Sequence, residues 1–226
     1  MIRALLLDAL GTLVELEPPA PHLQRALGGI SEADAERAIA AEMSYYRAHL
    51  GEGRDAESLA ALRRRCAAAL HDALPAGARP ADADELLAVL LDSLRFRAFP
   101  DAPEALETAR SRGLRLVVVS NWDCSLPDVL SRIGLAPQLD GVIASAAVGA
   151  RKPEAAIFER ALSVAGVHAS EAVHVGDSIE DDIEGARAIG IRPVFLSRDR
   201  AAGPAGVTTI ASLAELDALT LTFAEP

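Results

Sequence analysis

Four side chains of this sequence have the chemistry to bind a cation together with an oxyanion. Asp8, Ser120 and Asp177 each follow a short aliphatic stretch, and Lys152 precedes a proline. Carboxylates, a hydroxyl and an ammonium suit a divalent cation beside a phosphate-like group, and an oxygen-rich set without histidine or thiol favours Mg²⁺ over zinc. These residues predict one polar site, provided that the fold brings them together.

Lys152 is the single lysine of the chain, since the other 21 of its 22 basic residues are arginines. A coding preference for arginine would replace lysine wherever any positive charge is sufficient. An ammonium is a compact point charge, whereas a guanidinium is a wide planar fork. The retained lysine therefore indicates a position that needs a compact cation.

The elements around these residues alternate between strands and helices. Short aliphatic runs bounded by turn residues are typical of strands buried on both faces of a parallel sheet. Such strands are predicted at 2–7, 114–119, 172–175 and 193–196, and helices at 103–112, 126–133, 154–165 and 180–189. The alternation predicts a doubly wound, Rossmann-like α/β fold. Ligands of such sheets bind beyond the carboxyl ends of the strands, where Asp8, Ser120 and Asp177 would converge.

Residues 15–98 interrupt this alternation, because they contain apolar residues at helical spacing and no strand pattern. Ser31 and the acidic residues after it form a helix-start sequence. We therefore predict an α/β core domain made of residues 1–14 and 99–226, with an all-helical cap domain inserted as residues 15–98.

Composition limits the class of protein and its partners. The 226 residues carry a formal net charge of −11, which argues against nucleic acid and anionic membranes as partners. No apolar stretch approaches the length of about 20 residues that spans a bilayer. Two cysteines allow no disulfide framework, and the first residues lack a secretory signal, so a cytoplasmic location is expected. A small molecule is the expected partner, and the oligomeric state is left open.

The sequence resembles the haloacid dehalogenase superfamily of hydrolases, in the subgroup with a helical cap inserted after the first motif. The resemblance covers essentially the whole chain. It rests on four segments in family order, which are Asp8-Ala9-Leu10-Gly11-Thr12-Leu13, Ser120-Asn121, Arg151-Lys152-Pro153, and Gly176-Asp177-Ser178-Ile179-Glu180-Asp181-Asp182 continuing to Ala186.

The resemblance implies hydrolysis of a small phosphate ester through a covalent aspartyl intermediate. Asp8 is expected to be the nucleophile, and Thr12 to orient its loop by hydrogen bonding. Ser120, the amide of Asn121 and Lys152 are expected to bind the phosphate oxygens, with Lys152 also offsetting charge beside the nucleophile.

The resemblance further implies that Mg²⁺ is the cofactor. Its expected ligands are Asp8, the main-chain carbonyl of Leu10 and Asp177, with Asp182 in support. The neighbouring Asp181 is expected to face solvent. Opening and closing of the helical cap would exclude water and select the substrate.

Leu10 departs from the phosphatase pattern. Phosphatases of this superfamily carry a second Asp two residues after the nucleophile, as general acid and base, and leucine has no proton to transfer. Two alternatives therefore stay open. One is a hydrolase similar to 2-haloacid dehalogenases, which use an arginine shortly after the first motif, and Arg25 and Arg37 are possible counterparts of that arginine. The other is a catalytically impaired member that binds metal and anion.

Overall fold

The chain forms two compact units in this computed structural model, which describes residues 1–80 and 82–217. The α/β unit comprises Met1–Glu15 and the described residues from Ala98 onward, and the helical unit comprises Leu16–Arg97. Ala81 of the predicted cap range and residues 218–226 of the predicted core range lie outside the described residues.

The strands of the described chain form one six-stranded sheet and one two-stranded sheet. They are β1 (Ala4–Leu7), β2 (Val14–Leu16), β3 (Phe96–Ala98), β4 (Arg115–Ser120), β5 (Gly141–Ala144), β6 (Ala172–Gly176), β7 (Arg192–Leu196) and β8 (Thr208–Ile210). The large sheet is parallel throughout and has the order β5-β4-β1-β6-β7-β8. From β1 the chain first adds β4 and β5 on one side, and it then crosses to the other side of β1 to add β6, β7 and β8. β1 therefore lies at the switch point where such sheets bind ligands.

The helices connect these strands and build the second unit. They are α1 (Pro19–Leu27), α2 (Glu32–His49), α3 (Ala56–Ala73), α4 (Ala83–Ser93), α5 (Ala102–Ser111), α6 (Leu126–Arg132), α7 (Ser145–Val148), α8 (Ala155–Ala165) and α9 (Gly185–Ala188). Among the described helices, none combines the length and the apolar character needed to cross a bilayer.

The predicted α/β fold class is confirmed. Strands β1, β4 and β6 are buried almost throughout, because helices cover the sheet, and this is why their sequences are mostly aliphatic. On one face, Ile157 and Phe158 of α8 pack with Leu6 of β1, Val117 of β4 and Ile143 of the edge strand β5. This core fixes the strand ends from which the polar residues emerge.

The helical unit has its own core, in which α1 to α4 bury Leu23, Ile39, Leu62 and Leu90. Helix α2 begins as predicted, because the Ser31 side chain accepts a hydrogen bond from the main-chain N–H of Asp34.

Two expectations about elements were wrong. Residues 15–98 are not free of strands, because β2 and β3 pair at the two ends of the inserted segment. The predicted helix at 180–189 is a π-helical turn over Ile179–Glu184, followed by the single turn of α9. The wider turn points Asp182 inward, and functional sites often use π-helical turns in this way.

Candidate active site

The sheet register brings the sequence-predicted residues to one place. Leu7 of β1 lies level with Val118 of β4 and Val175 of β6. Asp8, Ser120 and Asp177 therefore follow the same line across three adjacent strands by one or two residues. Lys152 reaches this line from the loop before α8, so all four side chains that the sequence singled out meet at one rim of the sheet.

Asp8 and Lys152 form a buried ion pair at the centre of this site. Asp8 is 5% exposed and Lys152 is 2% exposed. The Nζ atom of Lys152 donates to Oδ1 of Asp8 at 2.5 Å, and the hydroxyl of Ser120 donates to the same oxygen at 3.0 Å. Both donors engage one carboxylate oxygen, which fixes the orientation of the carboxyl group, while the other oxygen receives no hydrogen bond from the described residues.

Asp182 holds the other side of Lys152. Its Oδ1 atom accepts from Nζ of Lys152 at 2.5 Å and from Nε2 of His174 at 2.8 Å. Its Oδ2 atom accepts from the main-chain N–H of Ser178 at 3.0 Å. Three protein donors thus occupy Asp182, so it orients Lys152 in addition to any support that it gives a cation.

Asp177 stands at the open side of the site, where its side chain is exposed. Gly11 lies directly against its carboxylate with φ +86°, and a Cβ atom at Gly11 would overlap that carboxylate. Gly176 is similar, because a Cβ atom there would overlap the side chain of Asp182. Both glycines let the main chain approach a carboxylate closely, which no other residue type would permit.

Asn121 fixes the loop that carries Lys152. Its Oδ1 atom accepts the main-chain N–H of Lys152 at 2.8 Å, and its Nδ2 atom donates to the carbonyl of Lys152 at 3.1 Å. Nδ2 also donates to Oδ2 of Asp181 at 3.1 Å. The expectation that Asp181 faces solvent was wrong, because this hydrogen bond holds its half-buried side chain at the site.

Thr12 acts through its main chain. The residue is fully buried and its side-chain Oγ1 atom has no hydrogen-bond partner, so its hydrogen bonds within the loop come from its main chain. The guanidinium of Arg198 donates to the carbonyl of Thr12 at 2.7 Å and to that of Gly11 at 3.2 Å. Arg198 therefore ties the loop after Asp8 to the end of β7.

Burial and close charges set the ionisation of the site. Burial raises the pKa of Asp8 against the attraction of Lys152. Burial would lower the pKa of Lys152, but Asp8 and Asp182 outweigh it and raise that pKa. For Asp182, Lys152 and His174 outweigh burial and hold the pKa below its usual range. Although Asp177 as a residue is exposed, desolvation of its carboxyl group, against which Gly11 lies, and repulsion from Asp8 and Asp182 raise its pKa to about 7.

The donor set fits a hard divalent cation. Oxygen atoms of Asp8, Asp177 and Asp182 lie within 4.8 Å of one another. Three close carboxylates with one ammonium between two of them leave unbalanced negative charge, and a cation would relieve the repulsion that raises the pKa of Asp177. Oxygen donors without thiolate or imidazole ligands match Mg²⁺. The residues therefore fit the predicted cofactor.

Two residues of this arrangement were not predicted from the sequence. His174 was expected only to pack, and it does contact Phe158 edge-on, but it also donates to Asp182. Arg198 received no role. The sequence did contain a signal for Arg198. It lies just after the aliphatic run of β7, close to a strand end, as Asp8 lies after β1 and Ser120 lies at the end of β4. No comparable signal marks His174, because its partner is determined by the π-helical turn.

Comparisons with known proteins agree with this geometry. A family model described as haloacid dehalogenase-like hydrolase matches residues 2–190. Haloacid dehalogenase-like hydrolase domain-containing protein 3 of Bos taurus is 38% identical over 110 residues, covering 49% of this chain and 44% of the relative. Phosphoserine phosphatase of Thermus thermophilus is 38% identical over 128 residues, covering 54% and 50%. The chain thus spans about half the length of the curated relatives it matches.

The similarity extends to solved structures along the whole chain. The crystal structure of 2-haloacid dehalogenase from Pseudomonas syringae pv. Tomato superimposes with a TM-score of 0.70 at 26% identity, covering 99% of this chain and 100% of that one. A family model that matches most of the chain, a shared fold and the convergence of the four motif segments give one conclusion. The chain belongs to the haloacid dehalogenase-like hydrolases.

Proposed function

We propose that this hydrolase is a Mg²⁺-dependent phosphatase that acts in the cytoplasm on a small phosphorylated metabolite. The observation that carries the proposal is the Asp8 carboxylate, which Lys152 and Ser120 hold by one oxygen while its other oxygen stays available for attack. The relative named phosphoserine phosphatase supports the phosphate ester as substrate.

The side chains divide the chemistry between them. Asp8 attacks phosphorus with its free carboxylate oxygen, and the bond to the leaving group breaks as an aspartyl phosphate forms. Lys152 balances negative charge. The Ser120 hydroxyl, which donates to Asp8 in the free site, turns to a phosphoryl oxygen when substrate binds, and the main-chain N–H of Asn121 binds another. Such positioning and charge neutralisation supply most of the rate in phosphoryl transfer. Water then attacks phosphorus, which restores the Asp8 carboxylate and releases phosphate.

The proposed ligands of Mg²⁺ are Asp8, the carbonyl of Leu10 and Asp177, with Asp182 in support. When bound, the ion supplies charge neutralisation at the phosphoryl oxygens. Asp182 contributes chiefly by orienting Lys152, because its oxygens already accept three protein hydrogen bonds. The helical unit is proposed to act as the cap that selects the substrate.

The test is phosphate release from a panel of phosphate esters with Mg²⁺, compared between wild type and Asp8→Asn. Loss of the nucleophile is expected to abolish release, because the amide cannot form the aspartyl phosphate. Asp128→Asn, on the exposed surface of α6, is the matched control and should keep wild-type turnover. Release that persists in Asp8→Asn, or none from any ester with wild type, would contradict the proposal.

A second candidate is 2-haloacid dehalogenase chemistry, which Leu10 favours because a halide leaves without being protonated. The dehalogenase from Pseudomonas syringae shares the fold. Arg25 and Arg37, the possible counterparts of the dehalogenase arginine, are exposed on the helical unit. Arg37 forms an ion pair with Asp34. Chloride release from 2-chloropropionate in the presence of a chelator would establish this activity. Its absence, together with phosphate release, would reject it.

The third alternative is a member that binds without turnover. It predicts that Mg²⁺ and inorganic phosphate raise the melting temperature while no product forms from any substrate. Turnover of any phosphate ester that depends on Asp8 excludes it.

A further inference from the structure

Leu10 has no structural role that accounts for its place beside the nucleophile. Its side chain is 39% exposed, although the residues on both sides of the loop, Ala9 and Leu13, are fully buried. Ala9 anchors this loop through its carbonyl, which accepts the main-chain N–H groups of Thr12, Leu13 and Val14. The loop conformation therefore does not depend on the Leu10 side chain, which faces outward at the mouth of the site.

Within the described α/β unit, the side chains that hold Asp8 offer no free proton donor for a leaving group, and Asp177 is a proposed ligand of Mg²⁺. Lys152 already donates to two carboxylates, and Ser120 donates to Asp8 itself. The side-chain amide of Asn121 already donates to the main-chain carbonyl of Lys152 and to the carboxylate of Asp181. An alkoxide leaving group needs a proton as the phosphorus–oxygen bond breaks, because it is strongly basic. A carboxylate or an acidic phenolate needs none.

The rim of the site is also apolar at two matching positions. Six large apolar side chains are exposed in the described chain, and two of them lie two residues beyond site carboxylates. Leu10 stands two residues after Asp8 at the end of β1, and Ile179, 44% exposed, stands two residues after Asp177 at the end of β6. The two strands are neighbours in the sheet. Exposed apolar groups beside a charged centre fit an apolar part of a ligand.

We propose that the substrate is a phosphate whose leaving group is apolar and departs as a weakly basic oxyanion, namely an acyl phosphate or an aryl phosphate of an acidic phenol. This inference rests on the proposed phosphatase function. Asp8 forms a bond to phosphorus, and the electron pair of the broken bond stays on the leaving oxygen, which departs unprotonated. Water then attacks the aspartyl phosphate, its proton passes to solvent, and Asp8 is regenerated.

The test is the dependence of kcat/KM on the acidity of the leaving group. Wild type is assayed with aryl phosphates ranging from dinitrophenyl to phenyl phosphate, with benzoyl phosphate as the acyl substrate and an alkyl phosphate as the least acidic. A steep decline is expected, of about tenfold per unit of leaving-group pKa, because no acid compensates for basicity. Benzoyl phosphate distinguishes acyl from aryl specificity. A kcat/KM for benzoyl phosphate above that of aryl phosphates with equally acidic leaving groups indicates acyl specificity, and a lower one indicates aryl specificity.

Leu10→Asp supplies the missing acid at an exposed position that tolerates a polar side chain. It is expected to raise kcat/KM for phenyl phosphate roughly 10²–10⁴-fold, with little gain for the most acidic phenols, so that the dependence flattens. Leu10→Asn is the matched control, with nearly the same shape but no acid, and should keep the steep dependence. Circular dichroism of all variants checks that each is folded.

The outcomes separate this inference from the proposed function. Equal turnover of alkyl and acidic aryl phosphates by wild type would overturn the inference while leaving the phosphatase function in place. So would a Leu10→Asp variant whose dependence is as steep as that of wild type. Phosphate release from no substrate, by wild type or by Leu10→Asp, would instead reject the proposed function.

Discussion

His174 shows how one side chain influences the nucleophile without touching it. It is fully buried in β6, and its Nε2 atom donates to the Asp182 oxygen that also accepts from Lys152. Lys152 in turn donates to Asp8. A continuous hydrogen-bonded chain therefore runs from His174 to the nucleophile, and it fixes where the single lysine places its charge. Partners of this kind commonly affect a site almost as much as the residues they orient.

Removing the donor at His174 should weaken this orientation. His174→Leu keeps the bulk in the strand but leaves Asp182 with one donor fewer, and kcat is expected to fall roughly 10–100-fold with a smaller change in KM. His174→Gln retains an N–H donor and should recover most of the loss. Steady-state kinetics on the best phosphate ester measure both. Equal loss in the two variants, or none in either, would show that the hydrogen bond does not matter for turnover.

Several of these residues could be predicted from the sequence because of where they stand. Asp8, Ser120 and Asp177 lie at the ends of aliphatic strands, and parallel strands must place such ends together. His174 could not be predicted in the same way, because its partner is eight residues away and depends on a π-helical turn. The hydrogen bonds of Asn121 to Lys152 equally depend on long-range geometry, which local patterns do not encode.

At the level of elements, Arg198 joins three segments of the α/β unit. It donates to the carbonyls of Gly11 and Thr12, forms a two-pronged ion pair with Asp101 at 3.1 Å on each side, and stacks over the Phe99 ring at 3.6 Å. Only a guanidinium supplies a planar fork with enough donors for all of these contacts. Arg198 therefore connects the loop after β1, the segment before α5 and the loop after β7.

Arg198→Lys tests this connection, because an ammonium cannot span both the loop carbonyls and Asp101. The free energy of unfolding is expected to fall by roughly 1.5–3 kcal/mol, the range for hydrogen bonds to charged groups. Turnover should also fall, because Gly11 would be less firmly held against Asp177. Exposed Arg200→Lys is the matched control and should change neither quantity. Denaturant unfolding measures the stability of both variants, and steady-state kinetics measure their turnover. Wild-type stability and turnover in Arg198→Lys would contradict this role of Arg198.

The strands differ in how readily they can be predicted from their sequences. β1, β4, β6 and β7 were predicted because strands buried among helices are almost entirely aliphatic. The short outer strands β5 and β8 were not, since Gly141 and the two threonines of β8 give no continuous apolar run. Their pairing depends on β4 and β7 being in place first, which is tertiary information.

At the level of the whole molecule, two units with separate hydrophobic cores contain different kinds of buried acid. In the α/β unit, Asp8 and Asp182 face Lys152 and belong to the site, and Asp123 accepts the main-chain N–H of Ser125. Glu42 of α2 is buried in the helical unit at 3% exposure, and burial raises its pKa although Cys66 donates a hydrogen bond to it. A carboxylate buried without a cation opposes folding of that unit at neutral pH.

The pH dependence of stability follows from the raised pKa of Glu42. The unfolded chain releases this proton near pH 4.5 and the folded chain only at higher pH, so the contribution of Glu42 to stability declines as pH rises through that interval. Glu42→Gln has no proton to lose and should be more stable than wild type at pH 7, since each tenfold change in a proton dissociation constant corresponds to about 1.4 kcal/mol. The advantage should shrink as pH falls toward 4.5. Glu36→Gln, exposed on the same helix, is the control that should show no such trend. Calorimetry of the full chain between pH 4.5 and 7 measures the stability difference between Glu42→Gln and wild type. If that difference does not change with pH, Glu42 is not the group that titrates.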